Sequence, residues 1–260
     1  MIATETQAPI FTIKLNRPDK RNAIQVQMLQ QIAEAVAQAE QDPSVRLIVI
    51  RGEGKSFSTG LDVMTMGGVP EMFGDDWTQR PHVVTRAWQD ALNRLTLSSL
   101  PIVVLIHGYC IGAGLELALA CDFRYSTPEA ILSLEEARLG MIPDVGGTTR
   151  LTQLVGPSRA KEIILTGRRI DGTTAERWGL VNRVMLKDEF DAAVQSLAEE
   201  ISGCAPLAVA AGKRIIQGIV NESQGLVLEQ IEQAALFHTA DLQEGIQAIM
   251  ERRKPVWKAQ

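Results

Sequence analysis

The spacing of apolar positions changes several times along this chain, and each change marks an element. Residues 10–15 (IFTIKL) alternate apolar and polar, which predicts a strand ended by the turn Asn16-Arg17-Pro18-Asp19. Met28, Leu29, Ile32, Ala33 and Val36 recur at helical spacing. They predict a helix over about 23–41, with Asn22 as its N-cap and Asp42-Pro43 as its stop. The run 45–50 (VRLIVI) reads as a buried strand closed by Arg51-Gly52-Glu53-Gly54. Residues 64–81, rich in Met, Gly, Pro and Asp, predict an irregular or partly helical flap, and a helix is expected over 82–97. Ile102 to Ile106 is a β-branched run and predicts another buried strand. It breaks at His107-Gly108 into the small-residue turn Gly112-Ala113-Gly114, and a helical run, Leu115 to Cys121, follows at once.

Past Gly147 the pattern predicts short helices over 150–155 and 158–165, a helix end with a last strand over 178–184, and a helix over 190–201. Gly203-Cys204-Ala205-Pro206 then marks a boundary. Three helical patterns follow it (207–220, 226–239 and 242–252) without a strand signal. The expectation is an α/β fold with two parts: residues 1–202 forming the core that carries the site, and residues 203–260 forming an all-α region.

Bulk properties narrow the function. A hydrophobic content of 45% supplies a sizeable core. No apolar run suits a bilayer, and the N-terminal sequence lacks a basic-then-apolar leader pattern, so a cytoplasmic protein is expected, with no membrane partner. The net charge of −5 argues against a nucleic-acid partner. Cys110, Cys121 and Cys204 make no even framework and read as buried free thiols. His82, His107 and His238 share no ligand spacing, so no metal is expected; His107 reads as a hydrogen-bonding strand end. GYCIGAGLE is not a dinucleotide fingerprint, and no cofactor is expected.

The chemistry gathers in residues 101–147. A strand–turn–helix junction leaves backbone N–H groups unpaired at the helix start, where an oxyanion is stabilised. Glu116 follows on the first turn, and Glu136 and Asp144 come later. Such a turn with nearby carboxylates points to proton transfer on an activated carbonyl compound. Each carboxylate also has a plainer reading: Glu116 in a salt bridge to a residue such as Arg138, Glu136 at a solvated helix start, and Asp144 in the turn Pro143-Asp144-Val145-Gly146.

Five segments, NRPDKRNAI (16–24), FSTGLD (57–62), HGYCIGAGLELALACDFR (107–124), LGMIPDVGGTTRL (139–151) and FHTADLQEGIQAIMERRKPVW (237–257), together resemble the crotonase (enoyl-CoA hydratase/isomerase) superfamily. The resemblance spans nearly the whole chain. It implies a spiral of ββα units, a C-terminal helical region that makes homotrimers or hexamers built as dimers of trimers, and an acyl-CoA thioester substrate, coenzyme A being part of that substrate.

By the same resemblance the backbone N–H groups of Leu61 and Ala113 form the oxyanion hole. Gly60, Gly112 and Gly114 let the backbone come close, and Ser58 and Asp62 accompany them in the substrate-binding segments. Glu116 and Glu136 match the two glutamates with which hydratases hold and activate water; the position before the second is often Pro and here is Glu135. Lys55, Arg21 and Arg252 match CoA-binding positions. Met64, Met66, Met72 and Phe73 are candidates for an acyl tunnel. Asp144 departs from the hydratase pattern and looks like the dienoyl-CoA isomerases, which however carry Asp where this chain has Glu116. A longer family thioesterase, 3-hydroxyisobutyryl-CoA hydrolase, shares the Glu–Asp spacing but lacks the first glutamate. The leading expectation is an enoyl-CoA hydratase, with dienoyl-CoA isomerase second and a non-catalytic CoA-binding paralogue third.

Overall fold

The computed structural model describes residues 1–62, 69–76, 79–219, 222–236 and 238–260. The expected acyl-tunnel residues Met64 and Met66 lie outside them. The chain opens with a hairpin, β1 (Ile2–Gln7) and β2 (Ile10–Leu15), paired antiparallel from Ile2↔Leu15 to Gln7↔Ile10. Helix α1 (Val26–Gln41) then leads to β3 (Leu47–Gly52), which lies parallel to β2. A short helix α2 (Val69–Phe73) and a long one, α3 (Pro81–Thr96), precede β4 (Ile102–Ile106). Pro81 suits the first position of α3, where its missing N–H costs nothing.

From β4 onward the chain repeats one motif. β4 is followed by β5 (Tyr109–Ile111) and helix α4 (Ala113–Leu119); β6 (Phe123–Ser126) is followed by β7 (Ile131–Ser133) and helix α5 (Gly147–Thr166). The first strand of each unit joins one sheet and the second strand joins another. β8 (Ile170–Asp171), helix α6 (Gly172–Arg177) and β9 (Arg183–Val184) complete both sheets. The large sheet runs β1-β2-β3-β4-β6-β9, parallel beyond β2, and the small one runs β5-β7-β8. Helix α7 (Phe190–Ser202) and the helices α8 (Pro206–Gly218), α9 (Glu222–Leu236) and α10 (Ala240–Glu251) close the chain.

The strand pleat decides which helix covers which face. Ile48, Ile50, Val104 and Ile106 join the core beneath α1 and α3, with Met28, Ile32, Leu92 and Leu95. Leu47, Val49, Val103 and Leu105 point the other way and pack on Phe190, Val194, Leu197 and Ile201 of α7. Both faces are covered, which is why the central strands read as unbroken apolar runs. Helix α8 is pinned to this frame by Lys213, which donates to Leu95 O (3.2 Å), Leu100 O (3.0 Å) and Asp122 Oδ2 (2.7 Å). Asp122 Oδ2 also accepts from Ile102 N at the start of β4. Among the described residues no helix is long and apolar enough to cross a membrane.

Three expectations need correction. Asn22 is not a helix cap: α1 starts three residues later than expected, behind Gln25. Asn22 is fully buried at φ 54°, accepting from Arg17 N and donating to Glu53 O and Ser56 O, so its amide ties two loops together. Cys204 is exposed, unlike Cys110 and Cys121. The short helices expected over 150–165 lie end to end in α5, broken at Gly156 (φ 74°, ψ 164°).

Candidate active site

The segment after β3 is threaded between two neighbours. On one side Ser58 N donates to Tyr109 O (2.8 Å) and Ile111 N to Ser58 O (3.1 Å). On the other, Ile24 N donates to Gly60 O (2.7 Å) and Asp62 N to Ile24 O (2.8 Å), a parallel bridge centred on Leu61. In such a bridge the central residue's own N–H points to the opposite side. Leu61 N–H therefore faces away from Ile24. Gly60 sits at φ 87°, and a Cβ there would come within 2.7 Å of Ile111 O and 3.6 Å of Ala113 N. Only glycine admits this approach of the two segments.

Ala113 is the first residue of α4, so its N–H has no intrahelical acceptor. Gly112, at φ 53° and ψ −126°, makes the turn into the helix; its N–H is spent on Ser133 O (2.9 Å) and its carbonyl accepts from Glu116 N (2.9 Å). Neither Leu61 N nor Ala113 N donates to an acceptor among the described residues. Both residues line one cavity of about 320 Å³, along with Gly60 and Gly112.

Glu116, Glu136 and Asp144 line that same cavity. Glu116 is 3% exposed, and its Oε1 accepts from Val145 N (2.8 Å) and Gly147 N (2.9 Å). Burial pushes its pKa up to about 7, against the pull of those amides, and the charges of Glu136 and Asp144 push the same way. The alternative partner Arg138 is turned elsewhere, to Thr166 O. Glu136 opens a 3₁₀ turn, Glu136–Leu139, soon after β7. Its Oε1 lies 2.9 Å from where a Cβ on Gly112 would stand, while Oε2 is buried without a hydrogen-bond partner among the described residues. Burial raises its pKa too, helped by Asp144 and Glu135. Asp144 is anchored to α3: its Oδ2 accepts from Thr85 Oγ1 (2.7 Å) and its carbonyl from Gln89 Nε2 (2.6 Å).

The remaining expected site residues fall outside the cavity wall. Ser58 donates its hydroxyl to Asn22 O (2.8 Å) and packs on Gly114, where a Cβ would meet Ser58 Cβ at 2.8 Å. Asp62 pairs with Arg17 (2.9 Å). Arg21, in a left-handed conformation, and Lys55 are exposed, and exposed Arg252 ends α10. Met72 and Phe73 pack against Val84 and are not among the residues lining the cavity. His107 does end its strand by hydrogen bonding, Nε2 to Gly54 O at 3.0 Å.

The structure adds Thr85, Trp88, Met141 and Ile142 to the cavity. Thr85, Trp88 and Gln89 stand at i, i+3 and i+4 on one face of α3, a spacing visible in the sequence but carrying no motif.

Two sheets linked by successive ββα units, with the amides of Leu61 and Ala113 and three carboxylates lining one cavity, are the features of a crotonase fold. The chain belongs to the enoyl-CoA hydratase/isomerase family, whose model matches residues 5–260. It is 33% identical to a peroxisomal Δ(3,5)-Δ(2,4)-dienoyl-CoA isomerase from Arabidopsis thaliana, over 98% of this chain and 95% of that protein. It is 35% identical to a carnitinyl-CoA dehydratase from Salmonella typhi, over 96% of this chain and 95% of that protein. Its fold is similar to that of an enoyl-CoA hydratase from Bacillus anthracis, with a TM-score of 0.91 and 31% identity over 100% of this chain and 99% of the other.

Proposed function

We propose that this protein adds water across the C2–C3 double bond of a trans-2-enoyl-CoA, in syn fashion, and catalyses the reverse dehydration. The observation that carries this reading is the unpartnered Oε2 of Glu136, in one cavity with Glu116 and the free amides of Leu61 and Ala113. Adding water at C3 drives negative charge onto the thioester oxygen. The two N–H groups stabilise that enolate, and losing one such donor typically costs about 3 kcal/mol. Glu116, with one oxygen tied to Val145 and Gly147, presents the other to the water and takes its proton. Glu136 delivers a proton to C2. With a pKa of about 7, Glu116 is ready to accept a proton near neutral pH.

The test follows crotonyl-CoA through loss of its conjugated-thioester absorbance. The native protein consumes it, kcat/KM rises with pH through about 7 as Glu116 ionises, and Glu116→Gln is inactive. Hydration surviving in that variant removes the assignment. A second reading has its own observation: Asp144, fixed by Thr85 and Gln89, is a third carboxylate that hydration does not need. In a 3,5-dienoyl-CoA isomerase Glu136 would take the C2 proton and Asp144 protonate the far carbon. Asp144→Asn then abolishes dienoyl-CoA conversion, and an unaffected rate rules this out.

The same proposal puts the CoA nucleotide toward Lys55 and Arg21, and requires no separate cofactor. Arg252 would serve a neighbouring subunit's CoA in a homotrimer or a hexamer of two trimers. Exposed Ile216, Val227, Ile231, Ile249 and Met250 on α8, α9 and α10 support such an assembly.

A further inference from the structure

Glu135 is a carboxylate that neither proposed reaction uses, yet it lines the same cavity as Glu136. Its Oε1 accepts from Arg169 Nε (2.5 Å) and Ser133 Oγ (2.8 Å), and its Oε2 from Arg169 Nη2 (3.2 Å). The pairing of β7 with β8 explains the partner. Ile131 lies opposite Asp171 and Leu132 opposite Ile170; one step further in that register sets Arg169 opposite Ser133. A guanidinium at this point reaches the first residues beyond β7 with both of its forked donors.

Two adjacent glutamates at a cavity would repel each other. The fork resolves this by holding one and leaving the other to face Gly112, where Glu136 Oε1 sits. The charged groups around Glu136 come from several elements. Glu116 stands on α4, Asp144 in the loop before α5, Glu135 and Arg138 in its own segment, and Arg169 at β8, with Arg138 turned to Thr166 O.

We infer that Arg169 is a positioning residue: by clamping Glu135 it aims Glu136 into the cavity and offsets part of the carboxylate charge next to it. Only the turnover readout of this inference rests on the proposed function. The carboxyl titration of Glu136 is independent of it and is followed by NMR in protein carrying ¹³C-carboxyl glutamate, the resonance being assigned with Glu136→Gln.

In Arg169→Gln the midpoint of Glu136 moves up by about half a pH unit or more, because the charge of Glu135 is no longer offset. The alkaline limb of enoyl-CoA hydration moves the same way, and kcat falls several-fold. Glu135→Gln alone, with Arg169 left unpaired, moves the midpoint down. The double variant has a midpoint between those of the two single variants without restoring kcat, since the clamp is still missing. Arg169→Lys restores the charge but not the fork, so its midpoint recovers more than its kcat.

An unmoved midpoint in both single variants, or the same upward shift in Arg169→Gln with and without Glu135, overturns the inference. A native protein that hydrates no enoyl-CoA counts against the proposed function alone, because the titration still decides the role of Arg169.

Discussion

Glu116 holds its proton over a pH range where an ordinary glutamate has lost it, and this has an energetic side. Its folded pKa of about 7 stands above the ordinary 4.5, so between those values the native state keeps a proton that the unfolded chain releases. Stability therefore falls as pH rises from about 4.5 to 7, by roughly 3 kcal/mol in all. Gln at this position can still accept from Val145 N and Gly147 N and has no charge to bury. Denaturant melts should show Glu116→Gln gaining stability over the native protein above pH 7, with the gap closing near pH 4.5. A gap independent of pH contradicts the buried-carboxylate account. Gly112 offers a second test. Its φ of 53° with ψ of −126° is strained for any L side chain, and a Cβ would sit 2.9 Å from Glu136 Oε1. Gly112→Ala should lose about 1–3 kcal/mol of stability from the strain alone. Its kcat should fall on the order of 100-fold as Glu136 is displaced, measured under the same enoyl-CoA assay.

Elements were legible in the sequence in proportion to their length. The buried strands β2, β3 and β4 and the long helices carry enough repeats of their period to be read, and the glycine turn before α4 announces itself by composition. β5 and β7 have three residues each and β8 two, too few to display any period, so the small sheet was invisible, whereas the last strand expected within 178–184 is β9 of the large sheet. β1 was missed for a different reason: as an edge strand it is mostly exposed and polar. The family's site motifs located Leu61, Ala113, Glu116, Glu136 and Asp144, which share the cavity. They gave no sign of Thr85, Gln89 or Arg169, whose roles arise from tertiary pairings with residues 59, 55 and 34 positions away. Asn22 shows how local propensity is overruled: a residue type that favours helix caps is used instead to satisfy three backbone groups of two loops. Asn22→Ala should cost roughly 3 kcal/mol, since buried partners are left unpaired, and chemical denaturation measures it.

On the scale of the whole molecule, α8–α10 leave apolar residues exposed on the single chain. Sedimentation should give a multiple of three chains, and Ile231→Asp with Ile249→Asp should shift the mass toward the monomer; a native monomer removes the proposed assembly. The Lys213 ammonium bears on how this chain is inherited. It answers Asp122, a carboxylate whose pKa burial raises, and two carbonyls at the end of α3 and the approach to β4. Recombination between related genes at the Gly203 boundary would look harmless by composition, yet it separates the two halves of this couple. Hybrids should survive when both parents supply the lysine and the aspartate, and arrive as insoluble product when either is missing.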